Sequence, residues 1–117
     1  MTTKDFEAIL TSQVETEKLI VLERAKAYAT NGDRLGNFYE GATLNQTTPM
    51  KYGFGLVSKH IIALRDLIFK LSAGKGEFTE KEAGKVDEYV TDIRIYAALL
   101  KALYVEECAR KAVGGKD

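Results

Sequence analysis

The chain is short of several residue types, and each shortage closes off a class of protein. Cys108 is the single cysteine among 117 residues, so an intrachain disulfide is impossible and a cross-linked secreted scaffold is excluded. A reducing cytoplasm is the expected setting, with Cys108 acting as a small hydrophobe near a helix end. The opening stretch, MTTKDFEAIL, lacks the basic region and apolar run of a signal peptide, and no apolar run is long enough to span a bilayer. Charge of one sign is also missing. Seventeen basic residues balance seventeen acidic ones, leaving no global cationic field for a nucleic-acid backbone, although a single nucleotide needs only a local site. Finally, no segment alternates apolar and polar residues for long enough to form a strand, and there is no internal repeat.

What remains is helical periodicity. Thr2 and Thr3 are N-cap candidates for a helix that collects Phe6, Ile9, Leu10, Val14, Val21, Ala25 and Tyr28 at three- and four-residue steps. The polar TSQVETE in its middle holds Ser12 three residues before Glu15, which predicts two helices meeting at a bend. Asn31-Gly32 closes this segment, and Asp33 is expected to cap a short helix with Leu35, Phe38, Tyr39 and Ala42 on one side. Gly36 and Gly41 each cost that helix roughly 1 kcal/mol against alanine, so packing must hold it.

Thr48-Pro49, with the only proline, is a start signal for the next helix. Its apolar face is Leu56, Val57, His60, Ile61, Leu64, Leu67, Ile68 and Leu71, and it stops at Gly74. Thr79 and Glu82 form a capping box for a helix that runs to about Val113 before Gly114-Gly115. Such a helix reaches roughly 50 Å, more than the width of a compact domain of this size. Either it kinks or its far end meets another subunit, and the stripe Val86, Tyr89, Val90, Ile93, Ala97, Leu100, Leu103 and Tyr104 favours the second. The expected fold is therefore all-α: one domain over residues 1–117, a bundle of four or five helices with a long C-terminal helix.

Chemistry has few places to sit. Asp92 falls on or beside the apolar stripe of the last helix, where a carboxylate needs a partner. It either pairs with Lys59, Arg24 or His60, or joins Glu88 and Asp87 in holding a divalent cation such as Mg²⁺. His60, the only histidine, lies on an apolar face, more in keeping with a hydrogen-bonded core residue than with a base or ligand. No second histidine or cysteine lies near it for a zinc site, and no serine, cysteine or lysine stands in a nucleophile motif. The glycines around Gly36 and Gly41 do not form a phosphate-cradling loop, because no strand precedes them and no Gly-Lys-Ser/Thr follows.

The order of ERAKAY, DRLGNF, the Lys59-His60 pair and DEYVTDIRIYAALL resembles small helical phage and prophage proteins associated with nucleotide modification. In outline these are similar to the MazG-like all-α nucleotide pyrophosphohydrolases. The resemblance spans roughly residues 20 to 107. It implies a helical, dimeric protein of nucleotide metabolism that takes a Mg²⁺-bound triphosphate. The positions it carries over are Arg24, Tyr28, Asp33, Arg34, Asn37, Phe38, Lys59, His60, Asp92 and Tyr96; on the nucleotide reading Asp92, with Glu88 or Asp87, holds Mg²⁺. MazG-like enzymes pair Glu-x-x-Glu on one helix with Glu-x-x-Asp on the next. Here the middle helix offers only Asp66, Glu88 and Asp92 stand one residue too far apart, and the one Glu-x-x-Glu, Glu77 and Glu80, precedes the last helix or opens it. On the nucleotide reading Lys59 and Arg34 bind phosphate and Phe38 or Tyr39 covers a base. The alternative is a non-catalytic interaction protein, a phage accessory or inhibitor of a host component, that docks through a helical surface.

Overall fold

The computed structural model describes residues 1–28, 34–74 and 79–114, without the side chains of 25–28 and 113–114. The described residues form four helices: α1 (Thr3–Tyr28), α2 (Gly36–Leu44), α3 (Pro49–Ala73) and α4 (Glu80–Gly114). No strand occurs among the described residues. The all-α bundle with a long last helix is the architecture the periodicity predicts. Asn31, Gly32, Asp33 and Glu77 lie outside the described residues, as does the side chain of Tyr28.

Local chemistry sets the helix starts. The Thr2 hydroxyl accepts from the Asp5 N–H at 3.0 Å while the Thr2 N–H donates to the Asp5 carboxylate at 3.3 Å, a reciprocal box of the threonine-acid type. Thr48 Oγ1 accepts from the Lys51 N–H at 3.2 Å, with Pro49 in the first turn. Thr79 Oγ1 accepts from the Glu82 N–H, also at 3.2 Å. α2 is the exception: its N-cap is Leu35, which offers no side-chain oxygen.

One expectation is corrected in α1, which runs through TSQVETE without a break. Its polar residues serve contacts between helices rather than a second cap. Gln13 Nε2 donates to Thr91 Oγ1 at 2.8 Å, and Arg94 Nε donates to both carboxylate oxygens of Glu17, the nearer at 2.8 Å.

α3 packs chiefly on α4, α2 lies against α3, and α1 lies more thinly along α4. The densest packing is where α2 meets the others: Leu35, Phe38 and Leu103 are buried, with Tyr52, Tyr96 and Leu100 against them. The α4 stripe therefore differs from the one the spacing predicts. Ile95 is 2% exposed whereas Tyr104 is 60% exposed, because α4 is touched from one side by α1 and from another by α2 and α3. Similarly, Ile61 and Ile68 of the expected α3 face stay exposed. Cys108 is exposed as well.

Beside this packed region Tyr39 donates its hydroxyl to Glu106 Oε1 at 2.8 Å, and the Arg110 guanidinium lies 4.4 Å from its ring centroid. Burial, followed by the neighbouring Glu106 carboxylate, raises the Tyr39 phenol above its ordinary value.

Two glycines in helices separate propensity from packing. A Cβ on Gly41 would overlap the Tyr52 ring, so this glycine lets α2 approach α3 closely. A Cβ on Gly84 meets nothing within 4 Å. Gly84→Ala is expected to raise unfolding free energy by about 1 kcal/mol, the helix-propensity gain. Gly41→Ala is expected to lower it by about 1–3 kcal/mol, because overpacking outweighs the same gain. Urea titration of both variants checks the pair, and stabilisation by Gly41→Ala would contradict the close approach.

Candidate functional site

All four helices and the turn before α2 contribute to one cleft of about 310 Å³ lined by Arg24, Arg34, Asn37, Phe38, His60, Asp92, Tyr96 and Leu99. Its placement follows from helical spacing. Asp92, Tyr96 and Leu99 stand at four- and three-residue steps on one face of α4. His60 comes from the middle of α3, Arg24 from the last turns of α1, and Asn37 and Phe38 from the first turn of α2.

Asp92 is the electrostatic hinge of the cleft. Arg24 Nη2 donates to Asp92 Oδ1 at 3.1 Å, and His60 Nδ1 stands 3.7 Å from Asp92 Oδ2. The second separation is too long for a hydrogen bond and leaves an electrostatic contact. The Asp92 side chain is 13% exposed against 36% for Arg24, so the pair sits at the edge of solvent. Next to it the His60 ring stacks on Tyr96 with centroids 5.1 Å apart and planes 25° from parallel. Tyr96 meets Phe38 edge to face at 6.5 Å, and Phe38 meets Tyr52 in the same way. The wall is thus a row of aromatic rings running from the cleft into the core.

Arg34 differs from Arg24. Its Nε is buried and has no hydrogen-bond partner among the described residues. A buried donor left unpaired costs about 1–3 kcal/mol, and Arg34 lines the cleft. Among the described residues the lining holds two guanidinium groups and one carboxylate, an excess of cationic groups although the chain sums to zero. The first turn of α2, beside it at Asn37, adds partial positive charge of the same sign.

Of the residues that sequence reasoning singles out, Arg24, Arg34, Asn37, Phe38, His60, Asp92 and Tyr96 come together here. Lys59 is exposed and not part of the lining, and so is Glu88. Leu99 is the lining residue that the motifs missed; its place one turn beyond Tyr96 on α4 is the signal for it. Glu88 and Asp92, the carboxylates expected to hold Mg²⁺, have different surroundings. Asp92 faces Arg24 and His60, Glu88 is outside the cleft, and no three or more histidine, cysteine, aspartate or glutamate residues gather for a metal among the described residues.

Chemically, the cleft offers cationic donors, one carboxylate already engaged and a flat aromatic wall. That is equipment for holding a planar anion. No described helix is long and apolar enough to cross a membrane. Comparison with known protein families, curated proteins and solved structures returns no match.

Proposed function

We propose that the protein binds a small anionic ligand with a planar ring, of the nucleotide class, in the cleft between α1, α2, α3 and α4. The observation that carries this reading is Arg34, whose buried Nε has no acceptor among the described residues, in a cleft whose described lining sets two guanidinium groups against one carboxylate. A phosphate oxygen supplies the missing acceptor, and guanidinium is the side-chain group best matched to phosphate. The stacked His60–Tyr96 pair offers the flat apolar surface that a base requires. A volume of about 310 Å³ is at the small end of ligand clefts, which suits a mononucleotide rather than a dinucleotide. The reading is one of binding, and no step runs through a metal.

Calorimetry and thermal shift with nucleoside mono-, di- and triphosphates test this, each with and without Mg²⁺, beside inorganic phosphate and free nucleosides. A nucleoside phosphate is expected to bind at least tenfold tighter than phosphate or nucleoside alone, and without needing Mg²⁺. Lys59→Ala is expected to leave the affinity unchanged, because Lys59 is outside the cleft. Absence of binding by every phosphate would remove the proposal.

A second reading, an interaction protein acting through a helical surface, is supported by large apolar side chains left exposed on α1 and α3. These include Phe6, Ile9 and Leu10, and Phe54, Ile61 and Phe69.

A further inference from the structure

We infer that α1 is a conformational strap, which lifts from α4 more readily than the rest of the bundle comes apart and which an anion in the cleft holds down through Arg24. The coupling to an anion rests on the binding role proposed for the cleft. None of the described α1 side chains, residues 3–24, is buried. By contrast, α2 buries Phe38 and Ala42, α3 buries Val57 and Leu67, and α4 buries Ile95 and Leu103. Phe6, Ile9, Leu10, Leu19 and Leu22 of α1 are 42% to 66% exposed.

The seam between α1 and α4 is open rather than filled. A groove of about 450 Å³ lies between Ser12 and Thr16 of α1 and Asp87 and Thr91 of α4, and a second of about 440 Å³ lies between Val21 and Leu22 of α1 and Ala98 of α4. The polar ties that cross this seam among the described residues are Gln13 to Thr91, Glu17 to Arg94 and Arg24 to Asp92. Arg94 is 41% exposed and Arg24 36%, and ion pairs so close to solvent are screened and add little. Helices in proteins draw most of their stability from a packed apolar face. One that packs as thinly as α1 opens at a lower free energy than the whole fold.

Arg24 joins this helix to the ligand. A guanidinium presents several N–H donors, so the bond from Nη2 to Asp92 Oδ1 leaves others for an anion in the same cleft. Arg34, from the turn before α2, brings a buried Nε with no partner among the described residues. An anion held by both guanidinium groups ties α1 to that turn. Such a ligand binds the docked state in preference to the lifted one, and by linkage its binding shifts the opening equilibrium toward docking.

Hydrogen exchange of the full chain, free and with saturating adenosine 5′-monophosphate, is the test, with calorimetry on the same samples to score binding itself. In the free protein, amides of residues 9–22 are expected to be less protected than those of residues 53–67 and 95–103 by roughly 100-fold or more. The nucleotide is expected to slow exchange in residues 9–22 by about tenfold or more. Arg24→Gln is expected to abolish that slowing in α1, while the nucleotide, bound more weakly, still slows exchange at the start of α2. Equal protection of α1, α3 and α4 in the free protein would overturn the inference, as would a slowing of α1 that survives Arg24→Gln. Binding seen by calorimetry with α1 exchange unchanged sinks the strap and leaves the ligand role of the cleft standing. No binding at all removes that ligand role, and the strap with it.

Discussion

Phe38→Ala is expected to lower the free energy of unfolding by about 3–5 kcal/mol, the range for deleting a buried phenylalanine side chain. The side chain is 1% exposed and sits where α2, α3 and α4 meet. It packs with Leu35 and Leu103 and lies edge to face with both Tyr52 and Tyr96. The neighbours cannot close readily over the void. Gly41 already brings α2 against Tyr52, and Leu103 is fixed by a helix that is also packed against α1. The buried apolar residues among those described are few: Leu35, Phe38, Ala42, Val57, Leu67, Ile95 and Leu103. Against a typical domain stability of about 5–15 kcal/mol, such a loss takes a large share. Urea titration checks it, with an unchanged slope showing that the variant still unfolds from the same compact state. A loss below about 1 kcal/mol would mean that the α2 junction is not the core. Since Phe38 also forms part of the cleft wall, ligand-induced stabilisation is expected to fall in the same variant.

The second large effect is a reversal of sign between two cleft residues. Arg34→Ala removes a buried donor that has no partner among the described residues and so is expected to leave stability unchanged or raise it by about 1 kcal/mol. It also removes the cation that meets the anion, and affinity for a nucleoside phosphate is expected to fall about 10- to 100-fold, in line with hydrogen bonds to charged groups. Asp92→Ala acts in the opposite sense. It strips Arg24 of its anion, and because Arg24 is more than a third exposed the cost is screened to about 1 kcal/mol or less. The same change deletes the one carboxylate of the cleft lining, and anion affinity is expected to rise about tenfold through lost repulsion. Denaturation and calorimetry on both variants read the two axes separately. If stability and affinity fall together in Asp92→Ala, the residue acts on the ligand only through the fold.

Much of the cleft is legible in the residue order because helix spacing is local. Asp92 and Tyr96 share a face at any four-residue step, and a carboxylate beside an apolar stripe calls for a cation. The identity of that cation is a different matter. Lys59, Arg24 and His60 are equally good partners on paper, and the choice rests on how α1 and α3 are set against α4. Lys59 is next to His60 in sequence, yet the helical turn of about 100° between successive residues sends it to the solvent side. Glu88 is one turn before Asp92 and still misses the cleft, staying exposed. Arg34 is the reverse case: nothing in DRLGNF indicates that its Nε is buried without an acceptor among the described residues.

The sequence by itself determined an all-helical chain, the caps at Thr48 and Thr79, the apolar side of α2 and the great length of α4. Each of these follows from backbone hydrogen bonding and periodicity within a few turns. Only the tertiary structure decided that TSQVETE is a contact strip rather than a bend, that Ile95 and not Tyr104 is buried, and that Ile61 and Ile68 are left on the outside. The physical reason is that burial is a property of pairs of helices. Periodicity states which residues share a face, and the neighbour that meets the face, or leaves it open, is set by packing between segments far apart in the chain.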